Sequence, residues 1–140
     1  MIDFITAIKN VLDEQGKTTE DLFKANIISK DTFYKYKHRN PSLQTVIKLA
    51  NYLKFSIDYL YERVDENNYK EYLTDQSDFY NKLMSMISSS GKSCRQFCKE
   101  LNYAKDNINR YKNGVTPTIR TLYEIADYFH CNIDDLLTKI

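Results

Sequence analysis

Glycine and proline are almost missing from this chain: three of one and two of the other stand among 140 residues. With so few breakers and few alternating apolar–polar runs, helices are expected throughout. No apolar run approaches the roughly 20 residues that span a bilayer, so no membrane partner is expected. Met1-Ile2-Asp3-Phe4 lacks the basic start and long apolar stretch of a secretory signal. The three cysteines form no spaced framework, which fits a reducing, cytoplasmic setting better than a disulfide-stapled scaffold. A large net charge is missing as well. The formal balance is +1, less basic than many nucleic-acid binders. Two histidines, no glycine-rich phosphate loop and carboxylates dispersed along solvated helix faces leave no catalytic constellation. No enzyme activity and no cofactor are therefore expected.

What the chain does hold is an internal repeat. Phe4 to Glu62 aligns with Phe79 to Thr138 at a shift of 75, or 76 after a one-residue insertion. Gly16-Lys17 pairs with Gly91-Lys92, Lys30-Asp31 with Lys105-Asp106, and Tyr36-Lys37 with Tyr111-Lys112. Past the insertion, Pro41 pairs with Pro117, Ala50 with Ala126, and Ile57-Asp58 with Ile133-Asp134. The division that follows is a first domain over 1–63, a linker over 64–77 and a second domain over 78–140. Tyr69, Tyr72 and Leu73 stand at helical spacing, so the linker is expected to hold a short helix. Each unit is near the lower size limit for folding alone.

Each unit reads as five short helices. In the first, Phe4, Ile8 and Val11 recur at helical spacing up to Gly16. Thr18 with Asp21 forms a capping box for a second helix ending near Asn26. Ser29 caps a third helix running through Lys37, with Phe33 and Tyr36 inward. Ser42 caps a fourth, with Val46, Leu49, Ala50 and Leu53 inward, and Ser56 starts a fifth. Ser93 and Thr118 cap the second and fourth helices of the second unit, where Ile108 and Tyr111 are the inward pair of the third helix. Tyr36, Tyr52, Tyr111 and Tyr128 fall on core faces.

This ordered set of motifs, found twice, resembles the lambda repressor/Cro-like (XRE-type) helix-turn-helix family. It rests on Gly16-Lys17-Thr18, Ile28-Ser29-Lys30, Asn40-Pro41-Ser42-Leu43 and Ile57-Asp58-Tyr59-Leu60 in the first half. In the second half it rests on Gly91-Lys92-Ser93, Tyr103-Ala104-Lys105, Tyr111-Lys112-Asn113-Gly114, Pro117-Thr118-Ile119 and Ile133-Asp134-Asp135-Leu136-Leu137. The resemblance implies an all-α chain of two tandem five-helix lambda-repressor-like domains. It also implies a double-stranded DNA-binding transcriptional regulator of bacterial or phage type. The third helix of each unit would enter the major groove. Its base-facing residues would be Ser29, Lys30, Asp31, Tyr34 and Lys35, with counterparts Ala104, Lys105, Asp106, Asn109 and Arg110. Lysine and arginine can donate to guanine and aspartate can accept from cytosine. By the same carry-over, Thr19, Lys37, His38, Arg39, Asn40, Lys112 and Asn113 would meet the phosphate backbone. Ser29 to Arg39 holds four basic residues against one acid, and Ala104 to Gly114 three against one. The near-neutral total thus conceals two basic surfaces.

The chain departs from the family pattern in two places. The glutamine that often opens the second helix is replaced by Thr19 and Cys94, and His38-Arg39 stands where the second unit has Asn113-Gly114. Other readings of these residues stay open. Asp31 with Lys35, and Asp106 with Arg110, have the spacing of intrahelical salt bridges. Cys94, Cys98, His130 and Cys131 fit no common zinc spacing. Cys98 aligns with Phe23 and Cys131 with Phe55, which marks both as core positions. Cys94 sits near a helix N-terminus, where a thiol pKa can fall and a redox-sensitive contact could form. Two partner classes follow. The first is DNA, read by a monomeric pseudo-dimer or by a homodimer that meets through Leu136 and Leu137. The second is a protein partner, on an antitoxin-like or inhibitor-like scaffold with little DNA affinity.

Overall fold

Short polar side chains set nearly every helix start in the computed structural model, which describes residues 1–140. Asp3 accepts the Thr6 N–H at 2.9 Å and opens α1, Phe4–Glu14. The Thr18 N–H donates to Asp21 at 2.8 Å ahead of α2, Thr19–Lys24, in the expected capping box. Ser29 accepts from Thr32 at 3.1 Å for α3, Lys30–Lys35. Ser42 does the same for α4, Leu43–Leu53, and Ser56 for α5, Ile57–Leu60. The second unit runs through α6, Phe79–Ser89, then α7, Cys94–Leu101, capped by Ser93. It continues with α8, Lys105–Lys112, and α9, Ile119–Phe129, capped by Thr118. Its fifth element, Ile133–Leu136, is a 3₁₀ turn rather than an α-helix. Each polar cap satisfies a backbone donor that the helix leaves orphaned.

The architecture is all-α, with one isolated antiparallel bridge between Tyr72 and Lys139 and no sheet. Two expectations need correction here. First, α3 stops at Lys35, two residues short of Lys37. Its counterpart α8 reaches Lys112 and then turns through Gly114 at φ +92°. The first unit has no glycine there, so the chain unwinds earlier, through tight bonds from the Lys37 N–H to Tyr34 and the His38 N–H to Lys35. Second, residues 64–77 contain no helix. Tyr72 is fully buried and Tyr69 half-buried in an extended segment held along Thr138 to Ile140. Their spacing answered to a groove between the units rather than to a helix face.

One apolar cluster of 33 buried residues runs from Phe4 through Leu137, so the two units share a continuous core. At its centre α5 lies against the Ile133–Leu136 turn. Asp58 accepts the N–H groups of Ile133 at 2.8 Å and Asp134 at 3.0 Å, capping that turn from the other repeat. The reverse contact passes through Tyr72, whose hydroxyl accepts the Ile57 N–H at 2.8 Å and donates to Asp134 at 2.5 Å. Arg63 pairs with Asp58 at 3.3 Å, and its repeat partner Lys139 pairs with Asp134 at 3.0 Å. Each aspartate thus serves the opposite unit's fifth helix while holding its own unit's cation. Burial pushes the Asp58 carboxyl above its ordinary range, outweighing the two N–H donors that pull it down. Arg63 also reaches Asp127 at 2.6 Å, lies 4.5 Å from the Tyr123 ring centre, and donates to the Cys131 carbonyl.

Candidate nucleic-acid interface

Each third helix is fixed to its own first helix by the same pair of rings. Tyr36 meets Phe4 edge-on at 5.2 Å, and Tyr111 meets Phe79 edge-on at 5.1 Å. Phe33 is fully buried beneath α3, while Ile108 is only half-buried beneath α8. With one face committed, the opposite face must point outward. Lys30, Asp31 and Lys35 are exposed on α3, and Lys105, Asp106, Asn109 and Arg110 on α8, as is Ala104 at its start. The chain's ion pairs lie elsewhere, on Arg63, Lys92 and Lys139. Asp31 and Asp106 therefore close no bridge to Lys35 or Arg110, and the helical cations stand unpaired.

Ser29 is exposed, but its hydroxyl is engaged with Thr32, donating to that side chain at 2.8 Å. Tyr34 does not stand clear of the core. Its ring rests edge-on to Phe33 at 5.2 Å and 6.3 Å from Phe23, half-buried, with the Lys37 amine 5.1 Å from its centre. Two core assignments also fail. Tyr52 is 41% exposed beside Lys17, and Cys131 is half-buried rather than enclosed. Cys94 is half-exposed at the start of α7 with its sulfur 3.5 Å from that of Met84, and Cys98 is buried. Thr19, matching Cys94 at the start of α2, is half-buried.

Of the backbone-contact candidates, Lys37 to Asn40 lie where the units meet, whereas Thr19 borders only first-unit residues. Lys37, His38, Arg39 and Asn40 are exposed and share a cleft of about 300 Å³ with Ile119 and Arg120 of the other unit. Lys112 and Asn113 are exposed, and the loop that follows, Gly114 to Pro117, faces Leu43 and Gln44. Gln44 donates to Thr116 at 3.0 Å across this second junction. The two junctions are repeat-related: Gln44 and Arg120 occupy matching positions. Arg120 and Arg95, both exposed, were not singled out from the sequence. Their signal was present, because the repeat aligns them with Gln44 and Glu20, so the second unit gains a cation at each position.

A family model described as a Cro/C1-type HTH DNA-binding domain matches the chain twice, over residues 7–66 and 82–140. No curated protein matches, and no solved structure does. No helix is long and apolar enough to cross a membrane.

Proposed function

The chain belongs to the Cro/C1-type helix-turn-helix DNA-binding family, and from that membership we propose that it is a transcriptional regulator that reads both halves of one operator as a monomer. It performs no chemistry of its own. α3 and α8 lie in successive major-groove faces, with Lys30, Lys35, Lys105 and Arg110 donating to base edges. Lys37 to Asn40, Lys112 and Asn113 hold the phosphates.

The observation that carries this reading is the reciprocal seam. In a two-fold interface, residue i of one copy meets j of the other while j meets i. Asp58 meets the turn at Ile133 and Asp134, Asp134 answers at Ile57 through Tyr72, and the Gln44–Thr116 junction is answered by Arg120 beside Asn40, all within one chain. Such a pseudo-dyad favours inverted half-sites over a direct repeat, with centres about 34 Å apart, one turn of DNA. Leu136 and Leu137 are buried within the chain, which leaves little of that face for a second copy. Tyr34 against Asn109, and Lys35 against Arg110, make the two half-sites related but unequal.

Binding-site selection from random duplex DNA, followed by titration at two salt concentrations, tests this reading. The expected product is an imperfect palindrome bound by one chain, with affinity falling steeply with salt. A direct repeat would sink the pseudo-dyad reading. Binding too weak to select a sequence would favour the protein partner.

A further inference from the structure

The two units differ in what packs beside their third helices. In the first, the rings of Phe23, Phe33 and Tyr34 pack together, with Phe23 5.8 Å from Phe33 and 6.3 Å from Tyr34. The repeat places Cys98, Ile108 and Asn109 at those three positions. Three rings are replaced by three smaller groups on the same backbone plan. The result is an open cavity of about 410 Å³ between α7 and α8, within the roughly 300–1,000 Å³ usual for small-molecule sites. Tyr103 does not refill it. Its ring turns edge-on to Phe97 at 6.1 Å and its hydroxyl donates to Glu124 at 3.1 Å, so it forms a wall.

The lining divides by chemistry. Cys98, Tyr103 and Ile108 make the apolar wall, and Arg95, Lys99 and Lys105 stand around it with no acid among the lining residues. Burial pushes the Cys98 thiol up, so that wall is neutral. In the first unit Lys24 and Lys30 match Lys99 and Lys105 but Glu20 occupies the position of Arg95, so the second unit's rim exchanges an acid for a third cation. None of the three rim cations is drawn off by an acid: Lys92, not Lys99, is the cation that holds Glu100.

We propose that this cavity binds a small aromatic carboxylate, its ring in the space that aromatic side chains fill in the first unit and its carboxylate against Arg95, Lys99 and Lys105. Because Lys105 and Asn109 line the cavity and also stand on the reading face of α8, the bound acid competes with DNA at the second half-site. The competition rests on the DNA-reading assignment above, whereas the binding does not.

The test uses the full-length chain and 4-hydroxybenzoate, followed by NMR at the Ile108 methyl group without DNA. A saturable shift is expected, with 4-hydroxybenzyl alcohol and acetate at least about tenfold weaker. Cys98→Phe, which restores the first unit's residue, should weaken binding at least about tenfold by filling the space. Arg95→Glu, on the surface, should do so by removing rim charge, and it keeps the test independent of any repacking by the phenylalanine. No saturable shift, equal binding of the neutral analogue, or full affinity in both variants would overturn the site. Saturating acid should also lower affinity for the selected operator at least about tenfold. Acid binding that leaves operator affinity unchanged would overturn the competition alone, and a chain that bound acid but no DNA would count against the DNA reading instead.

Discussion

Single residues carry the affinity predictions. Lys35 and Arg110 are exposed and unpaired, on helices whose opposite faces are locked by Phe33 and Tyr111. Lys35→Ala and Arg110→Ala should each weaken operator binding by about 1–3 kcal/mol, the worth of a good base contact, with thermal stability nearly unchanged. Unchanged affinity in both variants would return the protein-partner reading. A second residue-scale prediction concerns pH. The Tyr128 hydroxyl, with Lys92 and Gln96, holds the Glu100 carboxyl down at about 2 from its ordinary 4.5. A depressed folded-state pKa contributes stability in full above the unfolded value and loses it as pH falls through the folded one. Glu100→Gln should therefore melt below the wild type near neutral pH. The gap should narrow as pH drops from about 4.5 toward about 2, as thermal melts across that range would record; a gap that stays constant with pH would assign it to packing.

At the scale of elements, helix starts were the most legible feature, because a cap is a local bargain between one side chain and one backbone donor. Ser29, Ser42, Ser56, Ser93 and Thr118 all accept as their positions implied. Helix ends were less so: the missing glycine at His38-Arg39 was visible, but that it shortens α3 to Lys35 depends on how the chain meets its next turn. Burial of tyrosines was harder still. Tyr52 has the helical spacing of a core face yet lies outside beside Lys17, since spacing alone does not say whether a position at the margin of an apolar face is covered. The linker was misread for a related reason. Helical spacing of Tyr69, Tyr72 and Leu73 cannot be told by periodicity from residues that fill a groove. The exposed faces of α3 and α8 were legible from the inward pairs beneath them, whereas the seam was not, because its partners are distant in sequence. Tyr72→Phe tests the element that was misread. It removes the hydroxyl that serves both the Ile57 N–H and Asp134, leaving a buried donor without a partner. A loss of about 1–3 kcal/mol is expected from urea unfolding, with both units still melting in one transition because their core is shared. Two resolved transitions in the wild type would mean the seam is weaker than its contacts imply.

For the whole molecule, the repeat matters because linkage changes the arithmetic of binding. Two readers held at fixed separation make the second contact an intramolecular event, and avidity can exceed either single affinity by about 10²–10⁴ without any new contact. The rigid seam of Asp58, Tyr72, Arg63 and Asp134 sets that separation more firmly than a flexible tether would. Both units keep the lysine–aspartate start and a cation one turn later, as the proposed function requires. Replacing Lys30, Asp31 and Lys35 together, or Lys105, Asp106 and Arg110 together, should therefore cost operator affinity about 10²-fold or more in either case. Each triple variant should keep weak, salt-sensitive binding to the half-site of the intact unit, and sedimentation should find one chain per operator. If only one triple set matters and the free protein sediments as a stable dimer, one unit reads and the other is scaffold, and the shared core then serves stability rather than spacing.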